Sequence, residues 1–167
     1  MHDELTKQDL EKMQAELDER RLKLMPELIE EVKRTRAFGD LSENYEYKAA
    51  KQAQNRNKSR IRYLEKMIES ARVYEDRSGA DEVGLYDSVE LYMVEDDETS
   101  TVQVVTTVRC DPLSGRISKE SPLGRLLLGK KVGDRFTVQV NETYSYTAEV
   151  RSITKGEDDG SAALLQY

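Results

Sequence analysis

Residues 39–47 read GDLSENYEY, and this short stretch decides how the first half of the chain folds. Gly39 separates two long segments whose apolar residues recur at helical spacing, and glycine commonly terminates helices. The stretch therefore predicts a sharp reversal between two helices. It also gathers three carboxylates, those of Asp40, Glu43 and Glu46, at the point of reversal.

The two flanking segments predict an antiparallel helical hairpin. In residues 6–37, apolar side chains lie three, four or seven positions apart, and Pro26 predicts a kink or a division into two segments. Residues 42–75 predict one helix with a heptad seam. Antiparallel pairing sets Leu17 near Leu64. The predicted seam of the second helix consists of Tyr47, Ala50, Gln54, Asn57, Ile61, Leu64, Ile68 and Ala71.

The hairpin is expected to be long and thin. Each arm has about 30 residues and would extend ~45 Å at roughly 1.5 Å per residue. Only one narrow seam is apolar, so the tip should project into solvent. Gln54 and Asn57 occupy consecutive seam positions near the middle. Such polar residues fix helix register at some cost in stability, and a functional contact is the alternative.

The second half of the chain predicts a small, mostly antiparallel sheet with one short helix. After a polar linker at residues 77–84, the period changes to about two. Ser121 as N-cap, Pro122 at the first helical position and Gly129 as terminator define the helix, with Leu123, Leu126 and Leu127 inward. Residues 154–167 are either a turn before a final strand or a loose tail. The predicted strands are SVELYMV, TVQVVTTV, RFTVQV and SYTAEVRSI.

Composition excludes several classes of protein. The 167 residues carry a net charge of −7, which argues against a protein that coats duplex DNA. Cys110 is the only cysteine and His2 the only histidine, which argues against a disulfide, a cysteine metal cluster and histidine catalysis. The N-terminus has no apolar signal core, and no run of about 18 apolar residues occurs. We expect a soluble, cytoplasmic monomer without a membrane partner.

The acids of the opening stretch have two interpretations from the residues alone. Asp40 followed three positions later by Glu43 fits a capping box, and acids in a first helical turn suit the helix dipole. Alternatively, two carboxylates three residues apart can converge on Mg²⁺, which commonly takes one or two protein carboxylates. A two-helix tip has no pocket that excludes water. The acids would therefore have to complete the active site of another protein.

The chain resembles the Gre transcript cleavage factors, GreA and GreB, over nearly its whole length. RAFGDLSENYEYKAAKQAQNRNKSRIRYLEKMIESA resembles the tip and second helix of that family, and GRISKESPLGRLLLGKKVGDRFTV its C-terminal signature. The resemblance implies an α+β protein, with a coiled-coil hairpin at residues 1–76, a linker at 77–84 and an FKBP-like, polymerase-docking domain at 85–167. FKBP-like topology does not imply prolyl isomerase activity.

The resemblance also implies a function. The hairpin would enter the secondary channel of a bacterial RNA polymerase elongation complex, where the acidic tip near residues 39–46 meets the 3′ end of backtracked RNA. The protein would not itself be an enzyme but would stimulate RNA hydrolysis by the polymerase. Asp40 and Glu43 would be the catalytic, metal-directed pair, shared with a Mg²⁺ ion that the polymerase holds and the free protein does not bind stably.

Two other functions are considered, and two residues depart from the family pattern. A non-cleaving regulator that occupies the polymerase channel is the alternative function, and a plain coiled-coil adaptor a third. Tyr45 stands where many relatives have a smaller residue, and Asp87 stands where glycine is expected.

The same resemblance implies roles for further residues. The implied roles are tip support for Ser42, Asn44 and Glu46, RNA or polymerase contact for Lys51, Arg56, Lys58, Arg60 and Arg62, and polymerase docking for Glu120, Ser121 and Pro122.

Overall fold

The computed structural model describes residues 3–39 and 44–166, which form two compact units. One unit comprises residues 7–72 with Asp3, and the other comprises residues 4–6 and 73–166. The first is a helical hairpin and the second contains a curled five-stranded sheet, so the predicted α+β class is confirmed. Within these described ranges, the helices are all too short or too polar to cross a bilayer.

The first arm of the hairpin is divided just before Pro26. Helix α1 spans Lys7–Glu19, a π-helical segment spans Arg20–Leu24, and helix α2 spans Met25–Arg36. Proline has no N–H group and its ring clashes with the carbonyl four residues earlier, so the wider turn accommodates it. The N–H of Met25 accordingly donates to the carbonyl of Arg20. The predicted division is confirmed, with the irregularity on the N-terminal side of the proline.

Helix α3 is shorter than predicted at both ends, spanning Tyr45–Ser70. Strand β1, Glu4–Leu5, pairs with strand β2, Arg72–Val73. The N–H of Tyr74 donates to the carbonyl of Leu5 at 2.7 Å. The prediction that the helix continues to residue 75 was wrong because these backbone groups are satisfied by a segment about 70 residues away in sequence, which no local pattern reveals.

The buried seam of the hairpin is partly polar. Met13, Leu17, Ala50 and Leu64 supply its apolar part. The predicted burial of Gln54 and Asn57 is confirmed, whereas the predicted seam residue Ile61 is only half-buried and its neighbour Arg60 is buried instead. The other buried polar side chains of the hairpin are Asp9 and Thr35.

Four of the polar side chains in the seam join the two arms. Glu16 accepts hydrogen bonds from Arg20 at 3.2 Å and from Arg60 at 2.7 Å. Asn57 accepts from the guanidinium of Arg20 at 2.9 Å and donates to the Arg20 carbonyl at 3.3 Å. This set, hereafter the seam cluster, joins α3 to the first arm beside the π-helical segment.

The second unit is built on a five-stranded sheet in the order β5-β4-β3-β7-β6. Its pairs are antiparallel except for β4 with β5, which is parallel. Strand β5 was not predicted because three residues are too few to show a period of two. The four predicted strands are confirmed, but the second ends at Val105, and Thr107–Arg109 form a 3-10 turn instead. The strands are β3 Ser88–Met93, β4 Glu98–Val105, β5 Arg116–Ser118, β6 Arg135–Gln139 and β7 Ser145–Thr154.

One face of the sheet carries the core. Alternate residues of β3, Val89 and Leu91, are fully buried, as period-two alternation requires. Helix α4, Pro122–Leu127, contributes the fully buried Leu127 and contacts β5 and β6. The predicted inward orientation of Leu126 was wrong, since that side chain is exposed. The core residues are Val83, Leu85, Tyr86, Val89, Leu91, Val104, Val105, Leu127, Val150 and Ala162.

The segment after β7 is neither a strand nor a loose tail within the described residues 155–166. Ala162 and Leu164 are buried, and the N–H of Leu165 donates to the carbonyl of Val108. Val83, in the interval predicted as a linker, is also part of the core. The FKBP-like topology implied by the resemblance stays a prediction.

Candidate functional site

The described residues bring the two helix ends together at the hairpin tip. Gly39, with a φ of +102°, lies in the left-handed region that favours glycine and follows the end of α2. The next residue that the structure describes is Asn44. Three predicted site residues, Asp40, Ser42 and Glu43, lie outside the described residues. Asn44 and Glu46 lie within them.

Asn44 connects the end of the first arm to the start of the second. Its Nδ2 donates to the Thr35 carbonyl at 2.6 Å, and its Oδ1 accepts from the N–H of Tyr47 at 2.9 Å. One side chain thereby satisfies a carbonyl at the end of α2 and an N–H at the start of α3, groups that helix ends leave without partners. Asn44 is the N-cap of α3, and the capping-box interpretation of Asp40 and Glu43 lies outside the described residues.

Glu46 lies on the first turn of α3 beside a charged group from the first arm. Its carboxylate is 4.0 Å from Arg34, and its side chain is 65% exposed. Arg34 makes its closest ion pair with Glu31, at 2.6 Å, and this hydrogen bond lowers the pKa of Glu31. Because Arg34 already has a close partner, Glu46 keeps most of its carboxylate in solvent.

Four members of the predicted basic set are exposed on α3, and one is not. Lys51, Arg56, Lys58 and Arg62 are exposed. Arg60 departs from the prediction, since its side chain is 6% exposed and pairs with Glu16. Its position three residues after Asn57 and four before Leu64 is a seam position, and that spacing could have revealed it.

An open groove of about 420 Å³ follows the same helix. It displays one exposed member of the basic set, Arg56, beside amide and hydroxyl side chains. The Arg60 guanidinium lies 5.0 Å from the centroid of the Tyr63 ring. The groove is lined by Gln52, Asn55, Arg56, Ser59, Arg60 and Tyr63.

In the second unit, the predicted docking residues Glu120, Ser121 and Pro122 form the start of α4. Ser121 Oγ accepts from the N–H of Gly124 at 3.0 Å and donates to the Ser118 carbonyl at 2.7 Å, which confirms its predicted capping role. A Cβ on Gly124 would lie 2.1 Å from that carbonyl oxygen, so only glycine permits this close approach.

The carboxylate of Glu120 is held by a buried lysine. Lys119 is 6% exposed, and its Nζ lies 2.9 Å from Glu120 and 2.5 Å from Glu4. Burial alone would lower the pKa of Lys119, but the hydrogen bonds to the two carboxylates outweigh it and leave the pKa raised. The bond from Lys119 lowers the pKa of Glu120. The lysine also lies 4.5 Å from the centroid of the Tyr74 ring.

Asp87, one of the two departures from the family pattern, has a structural role. Its buried carboxylate accepts from the N–H groups of Gly84 and Gly156 at 2.7 and 3.0 Å and pairs with Lys155. It therefore ties the chain before β3 to the chain after β7. Sequence reasoning missed this role because the partners are far apart in the sequence. Gly84 precedes β3, whereas Gly156 follows β7.

Each half of the chain matches a family of known proteins. Residues 4–73 match the family model described as "Transcription elongation factor, N-terminal", and residues 78–155 match "Transcription elongation factor, GreA/GreB, C-term". Both halves are thus of the transcription elongation factor class. The chain belongs to the GreA/GreB family of these factors.

Two GreA proteins agree with this assignment by sequence. The chain is 44% identical to transcription elongation factor GreA of Lactococcus lactis subsp. cremoris over 131 residues, covering 78% of this chain and 84% of that protein. It is 43% identical to GreA of Geobacillus kaustophilus, covering 81% and 86%. Among solved structures, GreA factor homolog 1 (Gfh1) of Thermus thermophilus is 29% identical with a TM-score of 0.43, covering 93% and 100%.

Proposed function

We propose that this elongation factor inserts its hairpin into the secondary channel of bacterial RNA polymerase and stimulates endonucleolytic cleavage of backtracked RNA. The observation that carries the proposal is the tip closed by Asn44, which bonds both arms. Only four residues, 40–43, connect Gly39 to Asn44, and two of them are Asp40 and Glu43. A clamp of this kind limits how far those carboxylates lie from the hairpin end.

Asp40 and Glu43 offer the donor chemistry that Mg²⁺ prefers, but only part of a ligand set. Within residues 3–39 and 44–166, no three His, Cys, Asp or Glu side chains are grouped to hold a metal ion. Because the pair supplies only two ligands, it suits an ion that the polymerase already holds. In such a site Mg²⁺ lowers the pKa of a coordinated water and stabilises charge on phosphate oxygens. The contribution of this chain is two anionic ligands, and the polymerase remains the enzyme.

The other predicted contacts support the same function. Lys51, Arg56, Lys58 and Arg62 offer cations to RNA phosphates or polymerase carboxylates, whereas Arg60 serves the seam cluster instead. Glu120, Ser121 and Pro122 form the proposed docking loop, whose shape is set by the Ser121 cap and by Lys119. RNA polymerase and the 3′ end of backtracked RNA are thus the proposed partners.

The test is RNA cleavage in backtracked complexes assembled with purified polymerase. Asp40→Asn and Glu43→Gln keep the shape of each side chain and remove the charge. Each should slow cleavage on the order of 100-fold, comparable to the loss of one well-placed catalytic electrostatic contact, while competition binding to polymerase persists. Glu30→Gln, which neutralises an exposed acid on α2, is the matched control and should cleave normally.

Two results would contradict the proposal. If the wild-type protein binds polymerase but never accelerates cleavage, and the acid-free variants inhibit transcription equally well, the protein is a non-cleaving channel-binding regulator. If it does not compete with a channel-binding factor at all, the hairpin acts as a coiled-coil adaptor elsewhere.

A further inference from the structure

Two aromatic side chains are exposed on either side of the tip connection. Phe38, beyond the end of α2, is 57% exposed, and Tyr45, the first residue of α3, is 79% exposed. The sequence contains two phenylalanines, nine tyrosines and no tryptophan, and these two rings are among its most exposed aromatic side chains. Exposing a large ring forgoes the stability that its burial would add, and such rings are enriched at binding surfaces.

A cation lies near each of these rings, but the two cations differ in whether a described carboxylate pairs with them. Arg34 lies 5.3 Å from the Phe38 ring centroid and is already paired with Glu31 at 2.6 Å. Lys48 lies 5.5 Å from the Tyr45 ring centroid, and no carboxylate of the described residues is within 4.0 Å of it. Tyr45 and Lys48 therefore combine an exposed ring with a positive charge that is not paired with a carboxylate of residues 3–39 or 44–166.

The backbone holds this pair in a defined place. Tyr45 follows Asn44, whose side chain is fixed to both arms, and Lys48 lies three residues later on the same helical face. An aromatic ring with a neighbouring ammonium group suits single-stranded nucleic acid, because the ring stacks on a base while the cation meets a phosphate. A protein surface would also accept the ring, but the available charge favours a polyanion.

We propose that Tyr45 and Lys48 form a stacking site for an unpaired RNA nucleotide beside the tip, in which the ring contacts the base and the ammonium group contacts a backbone phosphate. The pair positions the RNA for cleavage and makes cleavage depend on the presence of a base at the extruded nucleotide. This inference rests on the proposed function, since it requires the tip to reach RNA.

The test compares backtracked complexes whose extruded 3′ nucleotide carries a purine with complexes in which that nucleotide is abasic. At limiting protein, Tyr45→Ala should slow cleavage of the purine-ended RNA about 5- to 100-fold and leave the abasic substrate unaffected. Tyr45→Phe, which keeps the ring, should behave like the wild type. Tyr144→Ala removes another exposed tyrosine, 51% exposed and distant in sequence, and should have no effect on either substrate.

Binding gives a second readout that does not need cleavage. In the Asp40→Asn background, the Kd for the purine-ended complex should rise by the same factor on Tyr45→Ala, and Lys48→Met should weaken binding to both complexes. Equal effects of Tyr45→Ala on purine and abasic complexes would overturn the proposal and assign the ring to a polymerase contact. No effect on either would overturn it as well. Failure of the proposed function would appear differently, as absent cleavage by the wild-type protein.

Discussion

The hairpin and the sheet unit use buried polar groups in opposite ways. The sheet unit has a core of ten buried residues and places its buried charges where loops meet that core. The hairpin has a single seam and places charged and amide groups in its middle. Polar groups therefore define which residues face each other in the hairpin, whereas in the sheet unit they fasten segments to a core that apolar burial has already specified.

The seam cluster also explains how the arms tolerate Pro26. The carbonyl of Arg20 accepts from the N–H of Met25 across the wider π turn and from Asn57 Nδ2 on the opposite arm. The irregular turn and the interhelical contact thus share one carbonyl group. A sliding of one helix along the other would break the contacts of Asn57 and Arg60 together, which makes the register specific.

In the sheet unit, the equivalent contact fastens the last described segment. Arg109 is 1% exposed and pairs with Asp158 at 2.9 Å, while its Nη1 donates to the Ala162 carbonyl at 2.6 Å. Residues 156–166 lie beyond the match to the C-terminal family model, which ends at residue 155. The pair therefore attaches a segment outside that match to the shared fold.

The largest expected effect comes from breaking this attachment. Asp158→Ala leaves the buried guanidinium of Arg109 without its carboxylate, and such a loss costs about 3–5 kcal/mol. The free energy of unfolding of the sheet unit, measured by urea titration with a β-sheet signal, should fall by that amount. Asp159→Ala is the matched control, because Asp159 is an exposed neighbour. Equal stability of the two variants would show that apolar burial alone holds the segment.

A smaller effect is expected in the hairpin. Glu16→Ala removes the acceptor shared by Arg20 and Arg60, of which Arg60 is buried, and should cost about 1–3 kcal/mol because Glu16 itself is partly exposed. The helical circular dichroism signal during urea unfolding measures the loss. Glu19→Ala is the control, since its pair with Lys23 is exposed at 3.9 Å and should contribute less than about 1 kcal/mol. If Glu16→Ala lowers the free energy of unfolding no more than Glu19→Ala does, the seam cluster does not determine the helix register.

These contacts also mark what the sequence could and could not predict. The hairpin, its reversal at Gly39 and the Ser121 cap follow from spacing and residue type within a few positions. Glu16 and Arg60 are 44 residues apart, and Arg109 and Asp158 are 49 apart. Pairs at such separations depend on the completed fold, so local patterns indicated neither pair and left the last segment undecided.

The candidate site, too, could be predicted only in part from the sequence. The acidic motif and the proposed docking loop were identified by resemblance to the family, and the Ser121 cap followed from local rules. The clamp by Asn44 was not foreseen, because its carbonyl partner Thr35 lies nine residues back on the other arm. The helix begins at Tyr45 with Asn44 as its cap, which the local pattern of acids did not indicate.

The smallest expected effect concerns pH and the docking loop of the sheet unit. The hydrogen bond from Lys119 holds the pKa of Glu120 below its ordinary value of 4.5 in the folded protein. The unfolded chain therefore takes up the proton first as pH falls, so the stabilisation by Glu120 is present above pH 4.5 and is lost as the pH decreases through the lowered folded pKa. Because the Glu120 side chain is 42% exposed, the contribution should stay below about 1 kcal/mol.

Urea titrations of the wild-type protein and Glu120→Gln at pH 6, 4.5 and 3 measure this contribution. The difference in free energy of unfolding should be largest at pH 6 and should vanish towards pH 3. In a Lys119→Met background only the exposed Arg125, 3.4 Å away, still pairs with Glu120, so the pH dependence of this difference should become smaller. A difference that grows on acidification would reverse the sign of the argument and would mean that Glu120 is stabilised in its protonated form.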